Sequence, residues 1–232
     1  MSEDLKRLAA HYAQRDPLAE RYSPLRPEVW QTVQERQRAL IRLLRDHAPA
    51  PLNELRAAEV GCGAGGNLLE LMQLGFAPQH LMGLELLPER LTLACERLPA
   101  AVQLLAGDAT QAAIEAGSQD LVLAYTVFSS LLDHALQARL AEAMWRWLKP
   151  GGAVLWYDFV FDNPANREVR GVPLRRVREL FPAASTIEAR RVTLAPPLAR
   201  RLCRLHPSLY PLANGLPLLR THRLAWIQKP SP

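Results

Sequence analysis

Between residues 52 and 160, short and mostly apolar stretches alternate with segments whose apolar residues return at helical spacing. The stretches are LNELRAAEV running into glycines, HLMGLE at 80–85, VQLLAGDA at 102–109, DLVLAYTVF at 120–128 and AVLWYDFV at 153–160. A strand with one wet face alternates polar and apolar residues, whereas a strand covered on both faces does not. The pattern therefore predicts an α/β fold, with a parallel sheet between two layers of helices. Helices are expected over about 67–74, over 88–98, and over a segment carrying Leu136, Leu140, Ala143, Met144 and Trp147 that KPGG ends. Residues 28–47 read as another helix, with Pro27 suited to its first turn. After residue 160 come a helix near 173–181, a strand near 186–194, a proline-broken segment and a closing strand THRLAWIQ.

The first stretch ends in EVGCGAGG, with four glycines in six positions after Glu59. Gly61, Gly63 and Gly66 fit the spacing of a dinucleotide-binding loop, and Glu85 lies near the end of the next strand. On that reading the chain is a nicotinamide-dependent, NAD(P)-linked oxidoreductase. Glu59 argues otherwise. A carboxylate there repels a pyrophosphate and attracts a cationic ligand. Asp108, in AGDA, sits where a ligand at the strand tips would meet it.

Taken in order, EVGCGAGGNL, LMGLELLPERL, AGDA, DLVLAYTVF and LKPGGAVL resemble the class I S-adenosylmethionine-dependent methyltransferases over roughly residues 55–160. The resemblance implies a Rossmann-like, seven-stranded, mostly parallel sheet of order 3-2-1-4-5-7-6, with strand 7 antiparallel and supplied by THRLAWIQKP. N-terminal helices (1–50) would cap a domain over 51–232, with a basic part at 161–232 and an insertion between strands 6 and 7 at 195–219. It implies S-adenosyl-L-methionine as cofactor, and roles follow residue by residue. Gly61, Gly63 and Gly65 would admit its methionine part, and Glu59 would favour its positive end. Glu85 would accept from the ribose hydroxyls. Asp108 and the Ala109 backbone would meet the adenine. Tyr125 would border the methyl group. A looser resemblance, carried by RYSPLRPEVWQTVQERQRAL and YDFVFDNPANREVRGVPLRRVRELFP, is to methyltransferases of bacterial surface-polysaccharide gene clusters. A non-catalytic cofactor-binding module on the same fold is a further alternative.

An acceptor should lie at the ends of strands 4 and 5. Asp158 is the first expectation for a general base and His134 the second, with Ser129 and Tyr157 as acceptor contacts. Asp133 is equally suited to capping the following helix. No metal site is expected. Nothing here resembles the Asn-Pro-Pro-Tyr motif of many N-methylating enzymes of nucleic acids and proteins; the expectation is a small or glycan- or lipid-linked acceptor, methylated at oxygen.

Charge is unevenly distributed. Residues 1–160 carry 15 Lys and Arg against 19 Asp and Glu, whereas 161–232 carry 13 against 4. Arg167 and Arg170 follow strand 5 and would grip an anionic acceptor through forked hydrogen bonds. No aromatic residues interleave with the arginines, which disfavours nucleic acid. The insertion has Leu198, Leu202, Leu205 and Leu209 at helical spacing beside Arg200, Arg201 and Arg204. It reads as a lid or interfacial element for a lipid-linked acceptor, or as a packed cap or homo-oligomer contact; Pro207 and Pro211 break the pattern, which favours the packed cap. Three scattered cysteines, a charged N-terminus and no apolar run near the ~20 residues of a membrane span lead to an expected cytoplasmic location, with membrane association at the periphery.

Overall fold

The computed structural model describes residues 3–13, 20, 23–162, 166 and 168–231, so Arg167 lies outside the described residues. Seven strands form one sheet: β1 (Ala57–Val60), β2 (Leu81–Glu85), β3 (Gln103–Ala106), β4 (Gln119–Tyr125), β5 (Leu148–Phe159), β6 (Thr186–Leu194) and β7 (Arg220–Gln228). Their order is β3-β2-β1-β4-β5-β7-β6. The pairs β1–β2, β1–β4, β2–β3 and β4–β5 are parallel, and β7 runs antiparallel to both neighbours. This is the order that the family resemblance implies. It differs from the 3-2-1-4-5-6 order of a dinucleotide fold, because β7 inserts backwards between β5 and β6.

The apolar strands are buried as their composition requires. All four residues of β1 are buried, and β4 is buried at every position but one. Helices cover both faces. On one lie α2 (Pro27–His47), α3 (Gly66–Leu74) and α4 (Pro88–Arg97), where Leu40, Leu43 and Leu44 of α2 share a core with Leu68, Leu71, Leu123 and Leu155. On the other lie α5 (His134–Trp147) and α6 (Leu174–Leu180), where Leu136, Leu140, Met144, Trp147 and Val177 pack with Val122 and Trp156. α1 (Glu3–Ala13) adds Leu5 to this second core. α2 starts with Pro27 and Glu28 and ends with Arg45 and His47, charges that match the helix dipole at each end. Its Glu35 accepts from the Thr193 N–H at 2.7 Å and from the Tyr210 hydroxyl at 3.2 Å, which ties α2 to β6 and to the insertion.

Three boundaries differ from the sequence reading. The first strand is shorter, because Leu52–Glu54 forms a single 3-10 turn before it. KPGG does not separate helix from strand but belongs to β5, whose Leu148 pairs with Gln119 before a register shift brings Ala153 opposite Leu121. Gly151, at φ 76°, provides the left-handed residue there. β4 stops at Tyr125 rather than Phe128, because Thr126 turns left-handed at φ 56° and its N–H donates to the Tyr157 carbonyl at 2.6 Å. This break sets Tyr125 at the strand tip, beside the ends of β1 and β5.

Candidate active site

The loop from β1 to α3 crosses the tips of the central strands. The N–H groups of Gly61 and Cys62 both donate to the Leu84 carbonyl, at 2.8 and 3.0 Å, which anchors the loop to β2. Gly63 donates to Oε2 of Glu85 at 2.8 Å, and Leu87 donates to Oε1 at 2.9 Å. The carboxylate is thus fixed at the end of β2 by two backbone amides. Gly61, Gly63 and Gly65 all have left-handed φ, at 67°, 57° and 79°. Beyond φ, their reasons for being glycine differ. A Cβ on Gly63 would meet nothing within 4 Å, so that side is open to a ligand. A Cβ on Gly65 would lie 2.6 Å from Leu98, so Gly65 answers to packing between the loop and the end of α4.

A cavity lies between this loop and α1. Of the residues the sequence reading named for the cofactor, Gly61, Glu85, Asp108, Ala109 and Tyr125 line it, whereas Glu59, Gly63 and Gly65 do not. α1 closes it with Leu5, Leu8 and Tyr12, and Thr126 and Val127 continue the wall past β4. Asp108 caps the turn Ala109–Gln111, with Oδ1 accepting from the Thr110 N–H at 2.9 Å and the Thr110 hydroxyl at 2.8 Å.

Behind Tyr125 is a buried cluster of polar groups. Glu59 is wholly buried; its Oε1 accepts from Asn67 Nδ2 at 2.5 Å. Burial raises its carboxyl from 4.5 to about 7, against the lowering effect of the Asn67 bond and of the Arg36 charge. Arg36 reaches in from α2. It pairs with Glu70 of α3 at 2.8 Å, and its guanidinium lies 5.2 Å from the Tyr125 ring centroid and 5.6 Å from that of Tyr157. Four polar atoms here are buried without a partner among the described residues: Glu59 Oε2, Glu70 Oε1, Arg36 Nε and the Tyr125 hydroxyl. Such atoms are uncommon in a folded protein, and each needs a polar partner such as water or a ligand. Two free carboxylate oxygens suit an ammonium, while a guanidinium N–H and a phenol suit a carboxylate. The cluster therefore fits the amino-acid end of S-adenosylmethionine, and the cavity beyond Tyr125 fits its nucleoside. Arg36, Glu70 and Asn67 were not legible as site residues, because nothing in the periodicity of α2 or α3 distinguishes an inward polar side chain from a solvated one.

The residues expected on the acceptor side are dispersed. Asp158 is buried: Oδ2 accepts from the Ser129 N–H at 3.0 Å and Oδ1 from the Phe159 N–H at 2.9 Å. Burial lifts its carboxyl to about 6, opposed by its hydrogen bonds to Ser129. Both oxygens hold backbone, so Asp158 fixes the loop after β4 rather than facing an open crevice. Ser129 is fully buried, held by its N–H on Asp158. Ser130 instead reaches the cavity, its hydroxyl 2.8 Å from that of Tyr12. Tyr157 is buried on the α2 face, its hydroxyl 2.8 Å from that of Thr193. His134 is exposed at the start of α5, where Asp133 caps the helix by accepting from the Ala135 N–H at 2.8 Å. Arg170 lies next to it, Nη1 3.4 Å from the imidazole, with its N–H on the Ser129 carbonyl.

Residues 57–152 match the family of methyltransferase domains. The chain is 28% identical over 109 residues to the tRNA N(3)-methylcytidine methyltransferase of Drosophila melanogaster, a match covering 44% of this chain and 33% of that protein. It thus spans about a third of the curated relative's length. Among solved structures, geranyl diphosphate C-methyltransferase of Streptomyces coelicolor superposes with a TM-score of 0.67 at 14% identity, over 100% of this chain and 99% of that one. Phosphoethanolamine N-methyltransferase 2 of Haemonchus contortus gives 0.62 at 18% identity, over 84% and 53%. The fold is that of the class I S-adenosylmethionine-dependent methyltransferases.

Proposed function

We propose that this chain is an S-adenosylmethionine-dependent methyltransferase acting on a small or glycan- or lipid-linked acceptor, with the methyl delivered to an oxygen. The observation that carries the cofactor assignment is the set of four polar atoms around Tyr125 that have no partner among the described residues. When bound, the cofactor supplies a methyl group already activated on a positive sulfur, so the protein's work is holding, orienting and drying. Glu59 and Glu70 take the ammonium end and Arg36 the carboxylate end. Glu85, oriented by the amides of Gly63 and Leu87, takes the ribose. Asp108 and Ala109 border the base. α1 covers the cavity and excludes water through Leu5 and Leu8.

The acceptor enters beside Tyr12, Thr126 and Ser130. Asp158 acts as a positioning residue that sets the Ser129–Ser130 backbone. Arg170 offers a cation toward an anionic acceptor; the phosphate-bearing acceptors named for the two structural neighbours support that polarity. Calorimetric titration of the full chain tests the assignment. S-adenosylhomocysteine should bind and nicotinamide dinucleotides should not; the reverse result would assign the chain to oxidoreduction. Mass spectrometry of the methylated product identifies the atom modified.

A further inference from the structure

The insertion between β6 and β7 folds as two short helices, α7 (Pro196–Leu205) and α8 (Leu209–Asn214). One side of it is a packed cap. Ala199, Cys203 and Tyr210 form a small core with Leu194, and the Tyr210 hydroxyl reaches Glu35 of α2. The other side has no such explanation. Leu205, Leu212, Leu216 and Leu218 are 76%, 73%, 59% and 86% exposed, all within 14 residues. Isolated exposed leucines are ordinary, but four in so short a segment are not. Arg200, Arg201 and Arg204 occupy the exposed side of α7, and no ion pair joins them to a carboxylate among the described residues. The chain contains no Asp or Glu after Glu188.

An exposed leucine set flanked by arginines, in a stretch of chain that carries no acid of its own, matches a surface that offers both hydrocarbon and negative charge. We infer that the α7–α8 hairpin docks this protein on a membrane surface carrying anionic lipid headgroups, leucines in the acyl boundary and arginines at the phosphates. Nucleic acid would satisfy the arginines and leave four leucines in water. A second copy of the chain would bring the same arginines together. Position in the fold gives the docking a purpose. β6 runs parallel to β1–β5, so its end at Leu194 and the start of β7 at Arg220 lie on the same sheet edge as the tips of β1, β2 and β4. Docking through the hairpin holds the cofactor cavity beside the bilayer. The corollary that the acceptor is carried on a lipid rests on the methyl-transfer reading, whereas the docking itself does not.

The test is flotation of the full chain with vesicles of phosphatidylcholine alone and of phosphatidylcholine with phosphatidylglycerol. Binding should require the anionic lipid and weaken with added salt. Replacing Arg200, Arg201 and Arg204 with Gln should weaken it on the order of 100-fold, from the attraction of each cation to the charged surface. Replacing Leu205, Leu212, Leu216 and Leu218 with Ser should weaken it at least ~10-fold while the arginines remain. Circular dichroism and S-adenosylhomocysteine affinity should be unchanged in both variants, since these side chains are exposed and none lines the cavity. Failure of docking would leave homocysteine-ligand binding intact, so the two readings fail separately. The inference is overturned if the chain stays with the aqueous phase at all lipid compositions, if the serine variant floats as well as wild type, or if an RNA oligonucleotide retains the chain where vesicles do not. It is also overturned if sedimentation shows a dimer that the serine variant abolishes.

Discussion

Replacing Arg36 with Met probes the buried cluster most directly. The guanidinium is only 17% exposed, and Glu70, its partner at 2.8 Å, only 8%. With Arg36 gone, Glu70 has no ion-pair partner among the described residues, and its Oε1 has none already. Leaving one member of a buried pair costs about 3–5 kcal/mol, and the residual exposure of Arg36 argues for the lower end, about 3 kcal/mol. For a domain of this size that is a fall in Tm of roughly 6–12 °C. Replacing Glu70 with Leu as well removes the stranded charge, so the double variant should return to within about 1 kcal/mol of wild type. The double-mutant cycle, measured by urea unfolding, should then show a coupling of about 2 kcal/mol or more. This restored fold separates stability from binding. If Arg36 and Glu70 hold the amino-acid end of the cofactor, the double variant should bind S-adenosylhomocysteine about 1.5–3 kcal/mol more weakly in calorimetry. Wild-type affinity in a folded double variant would refute the reasoning and leave the pair as a tie between α2 and α3.

Glu85→Ala removes the acceptor of both the Gly63 and Leu87 amides and should weaken S-adenosylmethionine binding by about 1.5–3 kcal/mol; unchanged affinity by calorimetry would remove Glu85 from the site. Glu59 titrates near 7 in the folded chain against 4.5 ordinarily, so the folded state holds an extra proton between those values, and stability is greatest below them and lost as pH rises through 7. Glu59→Gln cannot lose that proton, so its stability relative to wild type should increase by about 3 kcal/mol from acid to neutral pH, and a difference constant across unfolding curves at several pH values would contradict the burial argument. Asp158→Asn should cost about 1–3 kcal/mol of stability by disturbing the Ser129 and Phe159 amides, yet leave the pH profile of turnover in place; loss of ~10²-fold in kcat together with a shifted profile would restore it as a general base.

The sheet was legible from the chain alone because its cause is local. Strands buried on both faces must be apolar throughout, as DLVLAYTVF and AVLWYDFV are, and a backbone that turns left-handed three times in five residues must be glycine. The positions of Glu85 and Asp108 were legible for the same kind of reason: Glu85 closes one apolar strand and Asp108 follows another by a single glycine, so each sits near a strand tip. Boundaries were less legible where pairing set them. KPGG became strand because Gln119 was there to pair with Leu148, and β4 ended early because Thr126 could donate to Tyr157. Side-chain direction was decided by the tertiary structure alone. Asp158 and Tyr157 are adjacent in sequence, yet the pleat sends them to opposite faces, one to the Ser129 loop and the other to Thr193. Arg36 and Glu70 are 34 residues apart on helices that each look like ordinary surface helices, and only the packing of α2 over α3 makes them a buried pair beside Tyr125. The leucines of the insertion show the converse. Their spacing predicted a packed face, which Leu198 and Leu202 keep, but Leu205, the last residue of α7 before the chain turns extended ahead of Pro207, is exposed.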